Sequence, residues 1–546
     1  MGANMLLRTL QKTTLFTVII AFFGVIFPVN AQTAAPTPGV VFRMQPINRL
    51  VENAFFLAEA VGMKEQAKMI EGSLKGLTGP KGIEGIDPEK PIGLYGNIGP
   101  NLIDSEVVGL IPIADEKTFV EMLGKLNLQA KKGENGIYVM NIPNSPFPMF
   151  FKFKDGYMCA TIRDEKGIDD KKLLSPKELL SVEKTGVMSI SLNMAGLPED
   201  LIKNIVPQIE LQIAEAKQKK IPGETPAVEK LRNDVSEMLL QFIVQVFTQG
   251  EDLTMKVDMD RKAGDIGLGV SFKGKNGSEL AKTIASMGAA KSMGAGMISK
   301  DSVLHMNMNS AIPATARKDF IKVFQEGINK SIEDEKDPGK KGIMEKMAKA
   351  LAPTLELGTM DAVMEVRKTS NGKFAFLTAM KIAEGKKIEE VIKLLYKDLP
   401  DSEKKKLSLD FAKAGDTNVH KVDILVQPAD VKNFGSEPGY LAISNDVILF
   451  AGGEKSLPLV NEALSSSAKP SPIFEFEIAF NKAAGLLTKE FANAVEVAEK
   501  IFKENPNSDK LKLTLEGGKE LSLKMSMKST VLTFILTFFK AADGSK

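Results

Sequence analysis

Apolar and polar residues alternate with a period of two in several stretches of the chain, which is the signature of strands with one apolar and one polar face. Leu511, Leu513 and Leu515 alternate with Lys512, Thr514 and Glu516; Gly517-Gly518 reads as a two-residue turn; Leu521, Leu523, Met525 and Met527 then alternate with Ser522, Lys524, Ser526 and Lys528. This predicts a hairpin with one wet face, Leu513 and Met525 pointing inward. Leu253, Met255, Val257 and Met259 repeat the pattern against Thr254, Lys256, Asp258 and Asp260, as do Leu304, Met306 and Met308 against His305, Asn307 and Asn309. Clean alternation argues for antiparallel sheets covered on one side rather than parallel strands buried on both. Helical spacing of apolar residues runs from Asn48 to Leu74 and ends in a glycine-rich stretch from Gly76 to Gly85. The expected class is α+β, an antiparallel sheet with helices packed on one face.

The order of these elements occurs twice. A strand at Val187–Leu192 leads into Asn193-Met194-Ala195-Gly196-Leu197 and a long helical stretch; a strand at Ile473–Phe480 leads into Asn481-Lys482-Ala483-Ala484-Gly485-Leu486 and another. Each is followed by a hairpin, Asp252–Lys273 or Leu511–Lys528, and then by a helix, Ser278–Met287 or Thr530–Ala541. Upstream, the strand Val107–Ile113 with the helix Glu116–Leu126 parallels the strand Phe374–Ile382 with the helix Lys387–Tyr396, and turns at Asp155-Gly156 and Asn445-Asp446 each join two strands. A tandem duplication is expected. Its parts are a first half at 41–286, a Gly/Ala/Met linker at 287–300 that serves as a hinge, a second half at 301–541, and a tail at 542–546.

The N-terminus adds a destination. Arg8 and Lys12 precede an apolar run from Leu15 to Val29, and Val29-Asn30-Ala31 supplies small or medium residues at a cleavage position. Residues 1–31 are expected to be a signal peptide cleaved after Ala31, since about 15 apolar residues fall short of the roughly 20 that span a bilayer. A flexible mature N-terminus at 32–40 follows. The expected location is the periplasm or the exterior, with no transmembrane span after cleavage. Cys159 is the single cysteine, so no internal disulfide forms and stability must come from core burial. In the apparent strand Tyr157–Ile162 it reads as a small buried hydrophobe rather than a nucleophile.

Charge and composition narrow the chemistry. Loss of Arg8 and Lys12 with the leader leaves 69 basic against 69 acidic residues, which gives no electrostatic steering of nucleic acid. The basic residues are 63 Lys and 8 Arg, so bidentate recognition of phosphate is scarce. No Trp and five Tyr leave few platforms for flat sugar faces. Neither a P-loop nor Gly-x-Gly-x-x-Gly stands at a strand-to-helix junction. Of the two histidines, His305 is on the polar phase of its strand and reads as a surface residue, whereas His420 shares phase with Val422, Ile424 and Val426 and reads as a core or sheet-edge residue. No HExxH or Cys/His cluster points to a metal. Ser181-Val182-Glu183-Lys184 has the Ser-x-x-Lys spacing of penicillin-binding proteins, but Lys184-Thr185-Gly186 overlaps it, and Ser466-Ser467-Ala468-Lys469 shows that the spacing recurs by chance. The 69 acidic residues leave a carboxylate pair open.

Two apolar stretches stand out. Pro143–Phe151 is expected to enter an edge strand, with an apolar tip presented to a partner or a membrane as the other reading. The helix Thr530–Ala541, apolar on nearly every face and about 18 Å long, is expected to be buried within its half. Twenty-six Met residues, many on the inward phase, suit irregular cores or adaptable apolar pockets. The expected function is therefore a non-enzymatic binding or envelope-associated scaffold protein without cofactor or metal. Its partner is an unknown protein or an apolar small molecule. A carrier of an apolar or lipid-like ligand and a carboxylate-dependent hydrolase are the alternatives, with no catalytic residue assigned.

Overall fold

The computed structural model describes residues 37–69, 84–99, 105–143, 145–219, 226–311, 314–423, 431–488 and 493–543. The expected signal peptide and its cleavage position lie outside them. The fold is α+β, and every described strand pairing is antiparallel. The chain divides into two compact units, one formed by Met1–Gln208 with Gly250–Ala263 and the other by Ile209–Gln249 with Gly264–Lys546.

The first unit contains β1 (Val40–Met44), β2 (Ile92–Asn97), β3 (Glu106–Pro112), β4 (Ala130–Lys132), β5 (Tyr138–Asn141), β6 (Pro148–Lys154), β7 (Tyr157–Ile162), β8 (Met188–Asn193) and β9 (Gly250–Asp260). Their order in the sheet is β4-β5-β6-β7-β3-β2-β1-β8-β9. Helix α1 (Ile47–Ala60) follows β1, and α2 (Glu116–Lys125) follows β3. Asp115 caps α2 by accepting from the Thr118 amide at 2.7 Å. That fixes the helix so that Phe119 and Leu123 reach Ile111, Met149, Phe151 and Met158 on one side of the sheet. On the other side Val108, Leu110, Tyr157 and Cys159 pack with Tyr95, Ile168 and Leu180. Strands β3 and β7 are thus buried on both faces, and β7 reads as an unbroken apolar run for that reason. The expectation of helices on one face only is corrected here. So is the edge-strand reading of Pro143–Phe151, since β6 lies between β5 and β7 with Phe151 fully buried beneath a stacked Tyr138 ring at 5.0 Å.

The second unit holds β10 (Asp265–Gly274), β11 (Ala290–Ser292), β12 (Ser302–Ala311), β13 (Thr359–Lys368), β14 (Phe374–Lys381), β15 (Leu407–Ala414), β16 (Thr417–Val422), β17 (Gly439–Ile443), β18 (Val447–Gly453), β19 (Lys469–Ser471), β20 (Phe474–Ala479), β21 (Lys510–Glu516) and β22 (Leu521–Lys528). The order is β15-β16-β17-β18-β14-β13-β12-β20-β21-β22-β10, with β11 and β19 paired separately. A helix, α3 (Glu199–Gln218), runs across the division between the units. The helices of the second unit are α4 (Pro226–Gln249), α5 (Glu279–Ser286), α6 (Met293–Met297), α7 (Ala314–Asp334), α8 (Pro338–Glu356), α9 (Gly385–Asp398), α10 (Ser456–Leu464), α11 (Ala494–Phe502) and α12 (Ser529–Asp543).

One sheet face of the second unit is sealed by Leu459, Val460 and Ala463 of α10 and by Met297 of α6, which bury Leu377, Ala379, Leu449 and Ala451. At the opposite end of the sheet, Val531 and Phe534 of α12 are buried against Ala498 and Phe502 of α11, so the apolar C-terminal helix packs within its own unit. The segment 287–300 is not a free connection. It forms β11 and α6, and both lie on the sheet. The expected hairpin at 511–528 forms, but its register differs from that of a two-residue turn at Gly517-Gly518: Glu516 pairs with Ser522 and Leu513 with Met525, so the connection is longer.

Candidate functional site

The alternation in the second unit has an unexpected consequence for burial. On β12 and β13 the polar phase is the closed one, with His305, Asn307, Asp361, Glu365 and Arg367 buried; Thr514 on β21 and Ser522 on β22 are buried too, whereas Lys524 and Ser526 on β22 are exposed. His305 is therefore not the surface residue its phase suggested. It faces Glu475 on β20, Nε2 to Oε1 at 3.0 Å, and Lys512 holds the other carboxylate oxygen at 2.9 Å. These two contacts hold the Glu475 carboxyl at about 2, His305 contributing first. Asp361 accepts from the Ser292 hydroxyl at 2.7 Å and from the amides of Met293 and Gly294 at 2.7 and 3.2 Å, which caps α6. Glu365 accepts from Ser299 N and Arg367 Nε, and Arg367 donates onward to Glu462 and to the Met297 carbonyl. Burial pushes the Glu365 carboxyl up against the pull of Arg367. Each of these groups has a partner, and the network reads as a structural seam between α6 and the sheet.

A second cluster joins Glu389 of α9, Asp410 of β15 and His420 of β16, whose ligand atoms lie within 4.8 Å of one another. The protonation pattern argues against a metal here. The Asp410 amide donates to His420 Nδ1 at 3.0 Å, which places the proton of the neutral imidazole on Nε2, 3.4 Å from Glu389 Oε1. Coordination through Nε2 would require the opposite tautomer. Moreover, the Lys393 ammonium already sits 2.8 Å from both Glu389 and Asp410, in the place a cation would take. Burial lowers the His420 pKa; burial raises that of Glu389, but the contacts from Lys393 and Asn418 outweigh it and leave the carboxyl lowered.

The apolar phase of the same sheet stays open. Thr378, Met364, Met306, Phe476, Leu513, Met525 and Leu268 are successive cross-strand partners, one per strand from β14 to β10. Met306, Met364, Met380, Leu268 and Leu523 on this face are 36–41% exposed, whereas Val363, Leu377 and Leu449 on the other face are at most 4% exposed. Leu513 and Met525, expected to point inward, are half-buried on this open face. Helices border it: α5 abuts β10, α4 packs on α5, α7 on α4, α8 on α7, α9 on α8, and α9 reaches β17. At the β17 end this row lies on the methionine side, because Met347, Leu351, Ile392 and Leu395 share one apolar cluster with Leu441 and Ile448, and Ile448 is opposite Met380. A Lys230–Glu326 ion pair of 2.8 Å ties α4 to α7. The second unit thus carries an apolar floor that its own row of helices borders without sealing.

Other candidates carry less. A shallow, open depression of about 600 Å³ beside the α2 N-terminus is lined by Asp115, Glu116, Lys117, Glu121 and Tyr138. Cys159 is buried, and burial pushes its thiol up to about 11, so it is not activated. Ser181 precedes and Lys184 lies within a single helical turn, Val182–Thr185, where the Ser181 carbonyl accepts from the Lys184 and Thr185 amides and from the Thr185 hydroxyl. Among the described residues no helix is long and apolar enough to cross a membrane. The open methionine face was missed because period-two alternation reveals that a strand has two faces without saying which one is covered.

No family model matches the chain, and no curated protein matches it. A solved structure titled crystal form III of TP0453 aligns with 44% of this chain and 96% of its own, at 9% identity and a TM-score of 0.20, a likeness too slight to bear on fold or function.

Proposed function

We propose that this chain is an exported, non-enzymatic binding protein whose methionine-rich sheet face takes an acyl chain of a lipid-like ligand. One observation carries the reading: a row of apolar side chains crosses six strands of the second unit, from β13 to β10, and stays partly exposed while the polar side of β12 and β13 is closed. Contiguous exposed apolar surface of this kind marks a binding site. Unbranched, polarizable methionines adapt to a chain without a fixed shape. A folded protein partner is less well served, since such interfaces rest on Trp, Tyr and Arg anchors, and the chain has no Trp, five Tyr and eight Arg. The bordering helices also favour a thin occupant. A carboxylate-dependent hydrolase lacks comparable support, because Glu389 and Asp410 are both engaged by Lys393.

The duplication belongs to the same proposal. The order β4-β5-β6-β7-β3-β2-β1-β8-β9 corresponds strand for strand to β15-β16-β17-β18-β14-β13-β12-β20-β21, and α2 follows β3 as α9 follows β14. Coincidence of nine positions in a sheet supports descent of both from one ancestral segment.

Native mass spectrometry of the chain purified from its host's envelope fraction, with denaturing extraction of anything bound, tests the reading. Recovery of an acyl lipid, lost in a Met306→Asp/Met364→Asp variant that keeps its thermal midpoint, is the expected result. A bare chain that also takes up no added palmitate would sink the proposal.

A further inference from the structure

We infer that β22 is an edge built to pair with β22 of a second copy of this chain, and that β10, its counterpart from the first half of the duplication, holds that place within the chain. The inference is independent of the ligand. It rests on the proposed duplication for one point, that β10 and β22 correspond: each is the second strand of its half's hairpin, and α5 and α12 follow them. Both strands lie in the second unit. They pair antiparallel over eight residues without a register shift. Asp265, the first residue of β10, stands opposite Lys528, the last of β22, and Phe272 stands opposite Leu521, the first of β22. Corresponding strands that meet head to tail in full overlap are related by a local two-fold, the symmetry by which identical chains form a closed dimer.

The residues of β22 fit that symmetry. In an antiparallel pair of β22 with itself centred on Met525, Leu523 stands opposite Met527, Lys524 opposite Ser526, and Ser522 opposite Lys528. Apolar side chains meet apolar ones, and no lysine faces a lysine, which would be repulsive. Within the chain β10 supplies the same fit: Leu268 is opposite Met525, Val270 opposite Leu523 and Ile266 opposite Met527, while Gly269 and Gly267 face Lys524 and Ser526. It adds an ion pair that two copies of β22 lack, Lys528 to Asp265 at 2.7 Å. That pair and the high local concentration of a strand in the same chain favour β10 as the occupant. The strands that end the two sheet orders are blunted instead. β4 has three residues, with Lys131 and Lys132 exposed, and β15 is interrupted by its bulge and by Asp410 at φ +50°. The β10–β22 pair carries neither device, as suits an edge that is meant to be occupied.

The test displaces β10 in the full chain. In a Cys159→Ala/Met525→Cys background, Asp265→Lys/Gly269→Lys sets like charges opposite Lys528 and Lys524 and leaves β22 otherwise unchanged. Hydrogen exchange in β10 reports its release, and circular dichroism reports the fold. The expected result is a dimer by native mass spectrometry that a short bismaleimide joins at position 525, while the background chain stays monomeric and is not joined. Gly267→Pro/Leu268→Pro, which removes a donor towards each side of the strand, repeats the measurement should the lysines leave β10 seated or unfold the chain. A chain that remains monomeric in both variants overturns the inference, and so does a dimer that cannot be joined at position 525. A background chain already joined there overturns the part assigned to β10. None of these outcomes touches the correspondence of β4–β9 with β15–β21, which stands on other strands.

Discussion

At the scale of single residues, the closed polar phase of the second unit supplies two measurable expectations. Asp361 accepts three hydrogen bonds while 4% exposed, so Asp361→Ala strands the amides of Met293 and Gly294 in a buried seam and leaves the Ser292 hydroxyl only its 3.3 Å contact with Asn307 Oδ1. A loss of about 3 kcal/mol in urea unfolding is expected, with faster amide exchange confined to 292–297; Asp361→Asn, which keeps one acceptor oxygen, should cost less. Glu475 adds a pH dependence. Its folded carboxyl is at about 2 against the usual 4.5, so its stabilisation is complete above pH 4.5 and disappears as pH falls towards 2. Wild type should lose about 2 kcal/mol across that window by this pair, and Glu475→Gln should show a shallower decline in the same pH-dependent melts. These residues were hard to recognise in the sequence because alternation places His305 and Asp361 on the polar phase, which ordinarily faces water. What closes over them is a stretch of small residues, Ser292 to Met297, whose exposed amides suit a carboxylate. Gly294 shows why it is small, since a Cβ there would stand 2.9 Å from Val363 Cβ and closer still to Asn307 Oδ1.

Among the elements, the β15–β16 hairpin carries the next prediction. Its register shifts between Ser408 and Ala412, and Asp410 in the bulge has φ +50°, held by its amide bond to His420 Nδ1. The groups facing the imidazole are Glu389, Asp410, Lys393 and Asn418. Because burial lowers the His420 pKa, the hairpin is fully stabilised above pH 6.5 and weakens as pH falls through the lowered value, when Nδ1 protonation displaces the Asp410 amide. Amide exchange at 408–412 should rise on acidification, whereas His420→Gln should give protection that no longer changes with pH in that range. A wild-type profile with no rise in exchange on acidification below pH 6.5 would contradict the assignment. At this scale much was legible: the strands of both hairpins, α2 and α9 after β3 and β14, and the burial of α12. The strand status of Pro148–Lys154 was legible too, but its interior place between β5 and β7 was not, since proline is compatible with an edge and only the partners decide. The same holds for the side of the sheet that α8 and α9 cover, which is a property of long-range packing.

For the whole molecule, the expectation of a doubled order of elements came from the likeness of the Asn193–Leu197 and Asn481–Leu486 junctions. The sequence did not show where compact units begin, because a unit is defined by contacts, and the first one takes Gly250–Ala263 from far along the chain. Each unit has its own buried aromatic. Phe151 is fully buried among Ile111, Met149 and Met158 in the first, and Phe534 is 1% exposed against Phe502 and Val531 in the second. Truncation of either leaves a cavity that stiff neighbours fill only in part, so Phe151→Ala and Phe534→Ala should each cost about 3–5 kcal/mol. The two clusters share no residue, and the costs should therefore add to within about 0.5 kcal/mol in the double variant. Hydrogen exchange gives the sharper reading. Phe151→Ala should speed exchange in β3, β6 and β7, Phe534→Ala in β20 to β22, and neither in the other set. Faster exchange in both sets from a single substitution would mean that the chain unfolds as one cooperative body, and the costs in the double variant would then depart from additivity.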